Sequence, residues 1–122
     1  MKTLFAALTF ALLPAWFPSA GAFAHARLVS AVPAVGATVN PAPSELVLRF
    51  TEAIEPRFST VAVTDAAGAR QERGDLQADS ADAKTIRIGL LALKPGTYTV
   101  RWQVLSVDTH RAEGAFRFTV AP

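Results

Sequence analysis

Residues 98–120 read YTVRWQVLSVDTHRAEGAFRFTV, and this stretch carries the pattern that decides the fold. Its first part places large apolar side chains at even positions only, and the same alternation returns in the last five residues. Successive side chains of a strand point to opposite faces, so a period of two indicates a half-buried strand. The stretch therefore predicts two strands, from Tyr98 to Val104 and from Phe116 to Val120, joined by a polar segment.

Shorter stretches upstream repeat this alternation. Leu46, Leu48 and Phe50 share one parity, Val61 and Val63 alternate with polar neighbours, and Ile86, Ile88 and Leu90 do the same. Turn signals separate them: a first strand ends at Pro33, and turns follow at residues 40–43, 66–68 and 95–96. Residues 69–84, which contain Glu72, Asp75, Asp79 and Asp82, predict an exposed connection with a short strand near Leu76. With no helical period, the chain is predicted to be all-β: a single-domain antiparallel Greek-key β-sandwich of about seven strands, immunoglobulin-like or cupredoxin-like.

The composition excludes several classes of protein. The 122 residues include no cysteine, which removes disulfides and thiolate metal sites such as blue copper, iron–sulfur and zinc-finger centres. Twelve basic side chains face ten acidic ones, and Lys2 belongs to the first 24 residues, so residues 25–122 carry eleven against ten. This near balance predicts no binding to nucleic acid or to an anionic membrane.

The first 24 residues have the form of an export signal. Lys2 precedes an apolar run from Leu4 to Phe17 that is interrupted by Pro14 and is shorter than the roughly 20 residues that span a bilayer. Ala22-Phe23-Ala24 has the small-x-small form of a signal peptidase site. We therefore expect residues 1–24 to be a cleaved secretory signal peptide, leaving a domain of residues 25–122 with no membrane insertion. The alternative, an uncleaved anchor, would bury the amine of His25 in a peptide bond.

The chain's two histidines suggest a metal site. Cleavage after Ala24 would make His25 the new amino terminus, and His110 lies two residues after Asp108. A terminal histidine can chelate through its α-amine, with an unperturbed pKa of about 7.7–8, and through its ring Nδ1. The His110 imidazole and an Asp108 oxygen complete a set of three nitrogens and one oxygen, which favours Cu(II). The sequence thus predicts one Cu(II) ion bound by His25, Asp108 and His110.

Each of these residues also has an ordinary structural interpretation. His110 alone could be a turn or surface histidine, and Asp108 alone could accept hydrogen bonds from loop amides. Glu52 follows Phe50 by two residues and is therefore predicted on the same face of the strand. It is either an additional oxygen ligand or part of a solvated strand end. The large apolar residues move from even to odd positions at Leu105 and Val107, which predicts a bulge or a crossing between the sheets near residues 104–106. If Leu105 and Val107 then point inward, Asp108 and His110 face outward. Trp102 and Tyr98 are predicted core residues, and Gly114 is predicted to turn the chain into the last strand.

At these positions the sequence resembles the CopC family of periplasmic copper-binding, copper-resistance proteins. The specific parts of the resemblance are the terminal histidine and the segment Ser106-x-Asp108-x-His110-x-x-x-Gly114, supported by Ser30 to Pro33, Leu46 to Glu52 and Pro95 to Tyr98. The resemblance implies a Greek-key sandwich in the periplasm that binds Cu(II) and passes copper to a membrane transporter of the CopD type.

Two departures from the family pattern refine this expectation. Many members have glycine where this chain has Thr109, which predicts a loop without positive φ at that position. Members with a Cu(I) site carry a methionine-rich segment, whereas the only methionine here is Met1, so we expect no Cu(I) site.

We expect a binding protein and not an enzyme. The alternatives are a copper-dependent polysaccharide monooxygenase with an N-terminal histidine brace and a structural sandwich whose histidine pair has no function.

Overall fold

β-strands are the main regular elements among the described residues. The structure, a computed structural model, describes residues 25–122 together with Thr3 and Ala11, so the predicted signal peptide lies almost wholly outside the described residues. Within the described part, one 3-10 turn at Pro56–Phe58 accompanies the strands, and no helix is long and apolar enough to cross a membrane. The strands are β1 (Leu28–Val32), β2 (Thr38–Val39), β3 (Glu45–Phe50), β4 (Thr60–Thr64), β5 (Gln77–Ala78), β6 (Thr85–Gly89), β7 (Gly96–Leu105) and β8 (Arg111–Val120).

The strands form two four-stranded sheets, which confirms the predicted β-sandwich. The first sheet has the order β1-β3-β6-β5 and is antiparallel throughout. The second has the order β2-β8-β7-β4 and contains one parallel pair, in which Thr38 lies opposite Thr119. We did not predict β2, because a strand of two residues is too short to show a period.

The inward faces of the two sheets supply the core. The even positions of β7 from Tyr98 to Val104 are buried as predicted, and Trp102 and Tyr98 are both core residues. The Phe50 ring meets the Trp102 indole edge to face at 5.1 Å between centroids, and Tyr98 stacks on Phe118 at 5.5 Å. The first contact joins the two sheets at the end of β3, and the second links neighbouring strands β7 and β8 within the second sheet.

The predicted bulge or crossing near residues 104–106 is wrong. The β7–β8 ladder keeps its register from Gly96–Val120 to Leu105–Arg111. Ser106, fully buried, takes the next inward position, and the Val107 side chain is 53% exposed instead of inward. The reason is a tight turn in which Thr109 N–H donates to the Ser106 carbonyl at 2.9 Å, so the apolar phase ends with the strand.

Two further predictions need correction. Gly114 does not turn the chain into the last strand, because β8 already begins at Arg111. A Cβ at Gly114 would lie 2.3 Å from Cζ2 of Trp102, so this glycine makes room for the indole.

Residues 69–84 are mostly exposed, as predicted, but the Glu72 side chain is only 3% exposed. Its carboxylate accepts hydrogen bonds from Val63 N–H and from the Arg70 guanidinium.

Candidate metal centre

The turn between β7 and β8 is held by backbone hydrogen bonds on both sides. Ser106 N–H donates to the carbonyl of His110 at 2.9 Å, which closes the turn across its base. Val107 N–H donates to the carbonyl of Ala53 at 3.0 Å and fixes the turn to the segment that follows β3. These bonds place Asp108 and His110 at one end of the sandwich with a defined backbone.

Asp108 and His110 lie in contact across this turn. Asp108 Oδ1 is 3.3 Å from His110 Nδ1; the carboxylate side chain is 52% exposed and the imidazole 29% exposed. The Ser106 hydroxyl donates to the same carboxylate oxygen. That hydrogen bond, more than the neighbouring imidazole, lowers the pKa of Asp108 below its ordinary value, against a smaller opposing effect of burial. Asp108 is therefore an ionised carboxylate at neutral pH, the form in which it can bind a cation.

The prediction that Thr109 avoids a positive φ is wrong. Its φ is 72°, in the left-handed region where a β-branched residue is uncommon. The Ser106 N–H bond to the His110 carbonyl and the Thr109 N–H bond to the Ser106 carbonyl close the turn that contains Thr109, and the Val107 N–H bond to Ala53 holds this turn in place. Tertiary and turn contacts thus impose a conformation that local preference alone would not select.

His25 reaches the same end of the molecule through the start of β1. The next residue, Ala26, is buried at 2% exposure and anchors the segment in the core. Arg27 N–H donates to Thr51 Oγ1 at 3.0 Å, and Thr51 N–H returns a bond to the Arg27 carbonyl at 2.9 Å. The His25 ring lies edge to face with the His110 ring, with 6.0 Å between the two centroids.

This separation is compatible with one ion between the two rings. An imidazole nitrogen binds a metal at about 2.0 Å, which puts its ring centroid about 3 Å from the ion, so two rings on opposite sides of one ion lie roughly 6 Å apart. Among residues 25–122, however, no three His, Asp or Glu side chains form a group already arranged to hold a metal. The side chains of His25, Asp108 and His110 therefore do not already form such a group, although Asp108 contacts His110 and the His25 ring lies 6.0 Å from the His110 ring.

Glu52, the further candidate ligand, and the core residue Trp102 lie in segments that adjoin those of the two histidines. Glu52 is half-buried between Thr51 and Ala53, whose backbones bond to the His25 segment and to the β7–β8 turn respectively. Trp102, although 7% exposed, contributes with His25 and Arg111 to the wall of a shallow groove. The sequence pattern gave no role to Ser106. Its even position after Val104, two residues before an aspartate, was the signal that could have indicated a buried hydroxyl.

Comparisons with known proteins identify the family of the chain. A sequence profile described as the CopC domain matches residues 28–121. Copper resistance protein C of Xanthomonas campestris pv. juglandis is 36% identical over 120 residues, which cover 93% of this chain and 94% of that protein.

Two solved structures share the fold. The crystal structure of CopC from Methylosinus trichosporium OB3b has a TM-score of 0.75 and 32% identity, covering 80% of this chain and 95% of that one. The crystal structure of PcoC, a methionine rich copper resistance protein from Escherichia coli, has a TM-score of 0.67 and 33% identity, covering 80% of this chain and 99% of that one.

Proposed function

Because the chain belongs to the CopC family, we propose that it is a periplasmic protein that binds one Cu(II) ion and serves copper sequestration, resistance or delivery. Residues 1–24 are its signal peptide in this proposal, and cleavage after Ala24 exposes the amine of His25. The observation that carries it is the approach of the two histidine rings to 6.0 Å, although 84 residues lie between them in the sequence.

The donor chemistry supports Cu(II) in particular. The His25 amine and imidazole would form a chelate, His110 would supply a third nitrogen, and Asp108 an anionic oxygen. Nitrogen and oxygen donors of this kind suit Cu(II), which also has the highest affinity in the divalent series. Asp108 is ionised at neutral pH, and the hydrogen bond from Ser106 lowers its pKa further, so a cation meets a carboxylate without proton release.

The absence of soft ligands argues against a Cu(I) site. The similar structure PcoC is described as methionine rich, whereas this chain has Met1 alone and no cysteine. Cu(I) prefers thiolate and thioether sulfur. The chain therefore carries copper in its oxidised state, and a CopD-type transporter in the inner membrane would be the recipient that accepts Cu(II) from it.

The free amine provides the sharpest test. We expect the protein that begins at His25 to bind one equivalent of Cu(II), measured by competition with a chelator of known affinity. A matched protein with one added glycine before His25 should bind at least 100-fold more weakly, because its terminal amine can no longer close the same six-membered chelate with the His25 ring. Equal affinities would exclude the terminal chelate.

A second measurement separates the contribution of the other histidine. His110→Ala should shift the electron spin resonance signal of the Cu(II) form from three-nitrogen toward two-nitrogen coordination. Trp102→Phe, a change in the same groove that removes no ligand, serves as the control. An unchanged spectrum for His110→Ala would remove that residue from the site.

A further inference from the structure

Ser106 is a buried polar side chain at the base of the candidate site. It has no exposed surface and occupies the inward position that follows Val104. A buried hydroxyl is costly unless its hydrogen-bonding capacity is used. Here Oγ lies within bonding distance of three groups: Asp108 Oδ1, the His110 N–H at 3.2 Å and the His110 carbonyl oxygen at 3.1 Å.

The hydroxyl has one proton to give, so its partners can be assigned. The His110 carbonyl already accepts a bond from Ser106 N–H at 2.9 Å, and an ionised carboxylate is a stronger acceptor than a carbonyl. The proton therefore goes to Asp108, and a lone pair of Oγ accepts the N–H of His110. One side chain thus holds both the carboxylate and the backbone of the histidine.

We propose that Ser106 is a positioning residue for copper: it sets the rotamer of Asp108 and the backbone of His110 before the ion arrives. This inference rests on the proposed copper function. The same Asp108 oxygen that Ser106 binds is 3.3 Å from His110 Nδ1, so loss of the hydroxyl frees both groups at once. Removing a partner that orients metal ligands typically costs about 10–100-fold in metal affinity.

Ser59 offers a matched control. Its hydroxyl donates to the Glu55 carbonyl at 2.7 Å and accepts from Leu105 N–H at 3.0 Å, the same kind of bonding immediately before the turn. It has no bond to Asp108 or His110 among these contacts. In protein that begins at His25, we expect Ser106→Ala to weaken Cu(II) binding about 10–100-fold and Ser59→Ala to change it by less than about threefold. Thermal unfolding of each metal-free variant establishes that it is folded.

A double-mutant cycle shows whether Ser106 acts through Asp108. In an Asp108→Ala background, Ser106→Ala should cost much less affinity than it does in the wild type. Metal-free protein gives an independent readout: amide exchange at His110 should accelerate in Ser106→Ala and not in Ser59→Ala. If Ser106→Ala does not fold, NMR of the wild type still tests the proposal. The Ser106 hydroxyl proton should exchange slowly with solvent and show a nuclear Overhauser effect to the side chain of Asp108.

The outcomes are distinct. Equal losses in Ser106→Ala and Ser59→Ala, an undiminished loss in the Asp108→Ala background, or a rapidly exchanging Ser106 hydroxyl would each overturn the positioning role while leaving copper binding intact. Failure of the wild type to take up one Cu(II) would instead refute the proposed function, and the inference with it.

Discussion

Gly114 lies opposite Trp102 in the β7–β8 ladder, and the indole fills the space where a side chain would stand. Gly114→Ala would place a methyl group 2.3 Å from Cζ2 of Trp102, so the ring must shift from its contact with Phe50. We expect a loss of about 1–3 kcal/mol in the free energy of unfolding, measured with denaturant. In a Trp102→Phe background the smaller ring should reduce this loss. The same loss in both backgrounds would show that the clash is not the cause.

Thr109 carries backbone strain that glycine would relieve, since its φ is 72°. We expect Thr109→Gly to raise the free energy of unfolding by a few tenths to about 1 kcal/mol, because relief of the left-handed strain exceeds the added flexibility of the unfolded chain. Thr99→Gly makes the same chemical change in the middle of β7 and should lower stability by roughly 0.5–1 kcal/mol. Denaturant unfolding measures the change in the free energy of unfolding for both variants. If the two changes have the same sign, backbone strain at Thr109 is not the explanation.

At the β4 edge of the second sheet, a buried carboxylate accepts a hydrogen bond from an outward-pointing backbone N–H. β4 is an edge strand, and both polar backbone groups of Val63 point outward: its carbonyl accepts from Gln71 N–H and its N–H donates to Glu72. We expect Glu72→Ala to cost about 1–3 kcal/mol in unfolding free energy because Val63 N–H loses its partner, and to speed amide exchange at Val63. Glu72→Gln, which keeps an acceptor, should cost less.

Glu45→Ala is the control for that prediction. Glu45 pairs with Arg87 at 2.7 Å, but its side chain is 44% exposed, so this ion pair is screened by solvent and contributes little to stability. A larger loss for Glu45→Ala than for Glu72→Ala would show that charge pairing, and not coverage of the edge, accounts for the effect.

Strands were predictable from sequence where one face is buried over several residues. Leu46, Leu48 and Phe50 show this period, and the structure buries all three. The parity could not distinguish a bulge from a turn at Val107, because an apolar side chain at a strand end can stay exposed when backbone bonds fix the turn. The burial of Glu72 depends on a strand nine residues away, and the approach of His25 to His110 depends on how the two sheets pack. Neither is encoded in any local pattern.

At the scale of the whole molecule, acid should weaken the fold through the outer face of the first sheet. A hydrogen bond from Arg87 lowers the pKa of Asp79 below its ordinary value of 3.8, and the Lys84 N–H followed by the Thr85 hydroxyl lowers that of Asp82. Carboxyls with depressed pKa values stabilise the fold fully above that ordinary value and lose this contribution as the pH falls through the depressed values. We therefore expect the denaturant midpoint to fall as the pH drops below about 4.

Asn substitutions check that this response belongs to these two groups. Asp79→Asn and Asp82→Asn should each lower the midpoint at pH 5 and flatten its decline below pH 4, because the amide has no proton to gain. Asp75→Asn, on the same connection, provides the comparison. An unaltered slope in both variants would assign the acid sensitivity to other carboxyls.

His25 leads into β1 of the first sheet, whereas His110 leads into β8 of the second. Under the proposed coordination, an ion would link the two sheets of the sandwich through one ligand from each. It could bind only after the two sheets had packed together. Saturation at a thousand times the dissociation constant would then add about 4 kcal/mol against unfolding. Binding of the ion would thus indicate that the two sheets have packed together, and a partly folded chain would not bind it.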